Sequence, residues 1–155
     1  MKNKSRLTKQ VFITQIAKFL PNEPVENDDI EAHLGMIDGK PSRARRIILR
    51  NNGIKSRYYV VDKTGNFSHT NAQLSAEAIR QLEKNDFKIE NIEVLACGTS
   101  APDQSLPSHT AMVHGEIGSS EMELFSPSGA CCSGMQAMKY GYMSVLSEQS
   151  NNAVA

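Results

Sequence analysis

The chain is short of cysteine, lacks tryptophan and carries no net charge, and each shortage narrows what it can be. Three cysteines in 155 residues, an odd number, do not make a disulfide framework, so the reading is a protein of a reducing, cytoplasmic compartment. Seventeen Lys/Arg balance seventeen Asp/Glu, which argues against a dedicated nucleic-acid binder. No apolar run approaches a membrane span. The basic start "MKNKSRLTKQVFITQIAKFL" has a short apolar part broken by Thr14, Gln15 and Lys18, and no small-residue cleavage site, so it does not read as a signal peptide. Low-complexity segments and short repeats are also missing. What is left is a soluble globular composition, 39% hydrophobic and 22% charged, at a length that suggests one domain over residues 1–155.

The charge balances only in total. Residues 1–60 hold 12 Lys/Arg against 6 Asp/Glu, a net +6, and residues 61–155 hold 5 against 11, a net −6. The positive half can meet a phosphate or an acidic partner.

Apolar spacing orders the elements. "QVFITQIAKFLP" reads as a strand that ends at Pro21. "NDDIEAHLG" reads as a helix with Asn27 as N-cap and Gly35 as its stop. A basic helical stretch, residues 40–60, breaks at Asn51-Asn52-Gly53. Residues 68–87 predict a helix with Thr70 and Gln73 at capping-box spacing and Leu74, Ala78 and Leu82 as its apolar repeat. "IEVLACGTS" is a buried strand, "LPSHTAMVHGEIG" a short helix with Pro107 at its start, and "EMELFS" a second strand. "SGMQAMKYGYMSVLSEQ" is a helix with Met135, Met138, Tyr142 and Val145 on one face, and "NNAVA" starts another strand. The order β-α-α-α-β-α-β-α-β predicts an α/β layered fold with a mostly parallel sheet.

The chemistry concentrates at Cys131-Cys132, where a strand gives way to a helix. Unpaired N–H groups and the helix dipole favour an anion there, and a sharp strand-to-helix turn presents a nucleophile to a carbonyl. The competing reading is two small buried residues that fill a tight corner. A bond between the adjacent thiols would strain the backbone. Gly129 to Gly134 have P-loop glycine spacing, but Met135-Gln136 stand where Lys-Ser/Thr belong. Gly134 and Gly141 lie inside the expected helix, which implies close approach of another backbone. The histidines, His33, His69, His109 and His114, read as surface or loop residues, and no spacing fits zinc, so neither a metal nor a cofactor is expected. Arg43, Arg45, Arg46 and Arg50 read either as a solvated helix face or as a dock for a phosphate-bearing ligand.

Taken in order, "FLP", "NNGIKSRYY", "VLACGTSAPDQSLPSHTAMVHGEIG" and "LFSPSGACCSGM" resemble segments of the 3-oxoacyl-[acyl-carrier-protein] synthase III family of the thiolase superfamily. The resemblance runs from about Val11 to Ala155. It implies the N-terminal half of a thiolase-like αβαβα layered fold, with a mixed, mostly parallel sheet and the helix after the nucleophile in the buried middle layer. Through Cys132-Ser133-Gly134 it assigns Cys132 as nucleophile, with its backbone N–H in the oxyanion hole, and leaves Cys131 as a small neighbour. The implied reaction is acyl transfer from a thioester to Cys132, then decarboxylative condensation with a malonyl thioester, in fatty acid or related biosynthesis. The implied partners are acyl thioesters of coenzyme A or acyl carrier protein and a second subunit of the same chain. Leu106 matches a position that reaches into the partner's acyl pocket, although the loop here looks one residue longer. Arg50 and Asn51 straddle the place of a phosphate-contacting arginine.

Two departures qualify the match. Ile47 stands where relatives stack a tryptophan on adenine, which points to a carrier-protein thioester as the priming donor. The family is about twice as long, and its catalytic His and Asn lie in the half this chain does not match, so the expectation is that the chain alone does not complete condensation. Competing readings are a condensing enzyme of secondary metabolism, of polyketide or resorcinol type, and a non-catalytic thiolase-fold partner subunit.

Overall fold

The computed structural model describes residues 10–83, 87–119 and 121–155. The described chain gathers into two compact units, Leu20–Thr70 and a sheet unit built on Asn71–Ala155 together with the segment before Leu20.

The core of the sheet unit begins with the most apolar stretch of the sequence. Strand β3 (Val94–Ala96) is buried along its whole length, as a central strand covered on both faces must be. It pairs in parallel with β4 (Glu123–Phe125) on one side and β5 (Ala153–Val154) on the other. The register sets Val94 beside Glu123 and Ala153, and Leu95 beside Leu124 and Val154. Side chains alternate across a strand. Leu95 therefore joins the cluster of Ala72, Ile79, Ile89, Ile92 and Val113, which lies under α3 (Asn71–Arg80) and α4 (His109–Ile117). Val94, Ala96 and the following Gly98 point to the other face, which α5 (Ser133–Leu146) covers. The result is three layers, helix pair, parallel sheet and helix, as the α/β reading expects.

Helix α5 packs on the sheet by a different face from the one expected, although Val145 of that face is half-buried. Its buried residues are Ser133, Ala137, Gly141 and Ser144, while Met135, Met138 and Tyr142 are 66%, 46% and 49% exposed. The reason is distance. A Cβ on Gly141 would lie 3.0 Å from the Cβ of Ala153, so only small residues fit between helix and sheet. The expected close approach is thus real at Gly141. At Gly134 it is not, since nothing lies within 4 Å of a Cβ built there. The crowded partner is Gly98 instead.

Helix α3 buries Ala72, Ala76 and Ile79 rather than the expected Leu74-Ala78-Leu82 repeat. Its first turn is capped from a distance: the Asp103 carboxylate accepts from the backbone N–H of Asn71 at 2.8 Å and of Ala72 at 2.9 Å. The helix ends at Arg80, and residues 84–86 of the expected longer helix lie outside the described residues. Helix α4 starts after Ser108, whose side chain accepts from the Ala111 N–H at 3.4 Å, so Pro107 precedes the cap instead of opening the helix.

The first expected strand does not form. Residues 10–20 have no regular structure, and Phe12, Ile13 and Ile16 are 70%, 70% and 87% exposed. Apolar alternation needs a neighbouring strand to hydrogen-bond, and no described strand pairs with this segment. The first strand is β1 (Val25–Glu26), which pairs antiparallel with β2 (Ser56–Arg57) in the Leu20–Thr70 unit. Between them run α1 (Ile30–Leu34), stopped at Gly35, and α2 (Arg45–Asn52), stopped at Gly53 with φ +69°. Both stops fall where the sequence places them. Asn27 is not the N-cap expected of it: its Nδ2 donates to the Ile54 carbonyl at 2.8 Å. A turn at 62–66 closes on Asp62, whose Oδ1 accepts from the Thr64 and Asn66 N–H groups at 2.7 and 3.0 Å. The Thr64 hydroxyl, with these amides, lowers the Asp62 carboxyl to about 2.

Candidate functional site at the carboxyl ends of the sheet strands

In an open parallel sheet the strands' carboxyl ends are where loops converge on a ligand. Here β3 runs into Cys97-Gly98, and β4 runs into Ser126 and the turn that leads to α5. One buried hydroxyl binds the two ends together. Thr110 Oγ1 donates to the Phe125 carbonyl at 2.8 Å and accepts from the Cys97 N–H at 3.2 Å. The Thr110 N–H meets the Ser126 hydroxyl at 3.3 Å. Thus the first turn of α4 fixes both strand ends.

Gly98 then fixes the start of α5. A Cβ at that position would sit 2.3 Å from the carbonyl carbon and oxygen of Ser133 and 2.7 Å from the N of Gly134. These are backbone atoms that cannot swing aside, so only glycine permits the helix to begin directly over the end of β3. The turn that enters it is tight. Ala130 holds φ +22°, and Ala130–Cys132 form a short 3-10 turn in which the Cys132 N–H donates to the Gly129 carbonyl at 3.1 Å.

Cys132 is therefore the N-cap residue of a 14-residue helix, exposed, with no cap hydrogen bond from its side chain. The partial positive charge of the helix start acts on its sulfur. Cys131 is exposed as well, so neither thiol fills a buried corner. The expected oxyanion role of the Cys132 amide meets a competitor in Gly129, because an incoming oxyanion must take over that N–H. Cys97 is the contrast: it is half-buried behind Thr110, and burial pushes its thiol up to about 11.

The remaining sequence-stated residues fall elsewhere. Leu106 lies in the 98–108 loop of the same unit and is 84% exposed. Arg50 and Asn51 are exposed in the last turn of α2, in the other unit. Arg45, in the same basic run, is bound to Glu31 at 3.1 Å. One histidine corrects the reading of all four as surface residues. His109 is 5% exposed at the first turn of α4, with Nε2 3.4 Å from the Ser75 hydroxyl, and burial lowers its pKa against the pull of Asp103. Sequence reasoning missed Gly98, Asp103 and Thr110. Only Gly98 carried a signal, as a glycine directly after a buried strand. Among the described residues no group of three or more His, Cys, Asp or Glu could hold a metal.

No family model matches the chain. Among curated proteins it is similar to the beta-ketoacyl-[acyl-carrier-protein] synthase III of Streptococcus suis, 30% identical over 119 residues, covering 77% of this chain and 33% of that protein. The protein of the same description from Clostridium novyi is 26% identical over 144 residues, covering 93% and 41%. Among solved structures, a tetronic acid condensing enzyme matches with a TM-score of 0.68 at 25% identity, over 84% of this chain and 39% of that one. The beta-ketoacyl-[acyl carrier protein] synthase III of Thermus thermophilus matches with a TM-score of 0.69 at 20% identity, over 91% and 40%. The chain spans a third to two-fifths of the length of these relatives.

Proposed function

Because this chain is a part-length relative of the beta-ketoacyl-[acyl-carrier-protein] synthase III family, we propose that it carries the acyl-accepting half of a condensing enzyme, with Cys132 as nucleophile. The observation that supports this is the exposed Cys132 at the start of α5, seated over the end of β3 by the backbone contact at Gly98. The thiolate attacks the carbonyl carbon of an acyl thioester. The Cys132 N–H leaves Gly129 and takes the developing oxyanion. The leaving thiol, of coenzyme A or of a carrier protein's arm, departs as the acyl–Cys132 thioester forms. Condensation with a malonyl thioester then needs donors for the enolate oxygen. The resemblance puts those donors in the part of the relatives that this chain does not match, so the proposal is that the chain alone stops at the acyl-enzyme.

The same reading makes the protein a cytoplasmic homodimer, with exposed Leu106 reaching to the second subunit and Arg50 and Asn51 serving the donor. Among the described residues no helix is long and apolar enough to cross a membrane. A second reading, a condensing enzyme of secondary metabolism, is favoured by the 25% identity to the tetronic acid condensing enzyme and by Ile47 in place of a stacking ring.

The test is incubation with an acyl-coenzyme A and with an acyl-carrier protein, followed by peptide mass mapping. One acyl group on Cys132, lost in Cys132→Ser, is the expected result. An unmodified Cys132, or an acyl group on Cys97, contradicts the proposal. Full malonyl-dependent turnover by the chain alone contradicts its second part.

A further inference from the structure

Acyl transfer leaves Cys131 without a task. As a packing neighbour it should be buried, yet it is exposed, as Cys132 beside it is. The chain thus sets two thiols on consecutive residues at the surface, in the turn Ala130–Cys132 that enters α5. The third cysteine, Cys97, is half-buried. A structural zinc needs four ligands, and among the described residues no group of three or more His, Cys, Asp or Glu could hold a metal. Two adjacent exposed thiols with no further ligand are placed for chemistry with each other.

A bond between them is strained. Consecutive Cα atoms lie about 3.8 Å apart, closer than the roughly 4.4–6.8 Å of an ordinary disulfide. Strain makes such a bond a poor structural staple, and it also makes the bond easy to reduce, which a reversible switch requires. Consecutive side chains of a 3-10 turn point about 120° apart, so the turn must open to bring the sulfurs together. It is held by the Cys132 N–H donating to the Gly129 carbonyl at 3.1 Å and the Ser133 hydroxyl donating to the Ala130 carbonyl at 3.4 Å. Both are ordinary exchangeable bonds at the surface.

We propose that Cys131 is the resolving thiol for Cys132, and that the pair closes to a reversible disulfide when hydrogen peroxide oxidises Cys132. The effect of this bond on acylation rests on the acyl-transfer reading, whereas its formation does not. The Cys132 thiolate attacks one peroxide oxygen. The S–O bond forms, the O–O bond breaks, and the departing hydroxide takes up a proton as water. Cys131 then attacks the sulfenic sulfur. The S–S bond forms, the S–O bond breaks, and the leaving hydroxide takes the Cys131 proton as a second water. Two thiols give up two electrons and two protons, and one peroxide is reduced to two waters. The disulfide blocks acylation of Cys132 and keeps its sulfur from the irreversible sulfinic and sulfonic stages until a dithiol restores it.

The experiment treats the chain with an equimolar amount of hydrogen peroxide and maps the cysteines by tandem mass spectrometry, before and after dithiothreitol. The expected product has lost two hydrogens within the segment that holds Cys131 and Cys132, runs as a single chain on a non-reducing gel and regains both thiols with dithiothreitol. Cys131→Ser should instead keep a sulfenic acid on Cys132 that dimedone traps. With excess peroxide, the Cys132 labelling that dithiothreitol recovers should fall about tenfold in Cys131→Ser relative to the unaltered chain. Cys131 is exposed, so thermal unfolding of the variant should match. The proposal is overturned by an unoxidised Cys132, by sulfinic acid on Cys132 beside a free Cys131 thiol, by a disulfide to Cys97 or to a second chain, or by equal recovery in Cys131→Ser. Acylation by an acyl-coenzyme A, measured in parallel, separates the two ideas. If the reduced chain takes no acyl group while the adjacent disulfide forms, the acyl-transfer reading falls and the thiol pair stands. If reduced and peroxide-treated chains are acylated equally, the switch falls and acyl transfer stands.

Discussion

The sheet unit and the Leu20–Thr70 unit use similar residues for opposite ends. Among the described residues, Leu20–Thr70 buries only Pro21 and Val25 of its apolar residues, and the buried core from Ala72 to Ala137 lies in the sheet unit. In the second unit Leu34, Met36, Ile37, Ile47 and Ile48 are each half or more exposed. The difference teaches where rigidity is needed. A nucleophile has to be held within fractions of an ångström, and the proposed one, Cys132, sits where the backbone contact at Gly98 fixes the start of α5.

The sharpest way to break this comparison is a pair of truncations. Leu95→Ala, at a fully buried position, should cost about 2–5 kcal/mol in urea unfolding, and Ile47→Ala should stay within about 0.5 kcal/mol. Equal costs would mean that the second unit is as tightly packed as the first.

Next is a pair of glycines at the start of α5, Gly98 beneath it and Gly134 within its first turn. Gly98→Ala forces a Cβ onto the Ser133 backbone and should cost about 3 kcal/mol, with slower labelling of Cys132 as the helix start moves. Gly134→Ala has open space and should gain about 0.5–1 kcal/mol from helix propensity.

The third test uses pH. Burial raises the Cys97 thiol from an ordinary 9.0 to about 11. The folded state therefore holds this proton more tightly than the unfolded chain. The stability it contributes is complete below pH 9 and is lost as pH rises from 9 towards 11, by roughly 2–3 kcal/mol in all. Cys97→Ser should shrink that alkaline slope. The last test is Asp103→Ala, which uncaps α3 and should cost about 1 kcal/mol.

Much of the sheet unit was legible in the sequence because local signals and the final fold agree there. β3 is an unbroken apolar run, β4 and β5 fall inside the stretches expected for them, and Gly35 and Gly53 stop their helices. The failures share one cause, which is that packing is decided by what lies opposite. On α5 the large apolar residues mark one face, but the sheet comes so close that the small ones go in. Residues 10–20 alternate like a strand without a described partner to make them one. Asp103 caps a helix that starts 32 residues earlier, and His109 is buried by α3, neither of which a local pattern contains. At the site, the order of residues around Cys132 was legible. Gly98, which seats it, takes its meaning only from the backbone that lands on it.

The most direct test of the central claim, that Cys132 is the working thiol and Cys97 a silent one, is mass-mapped iodoacetamide labelling of the native chain between pH 7 and 8. Cys132 should be alkylated well before Cys97, and Cys97 should react only once the chain is unfolded. Labelling of Cys97 first, or of both at one rate, would contradict the account.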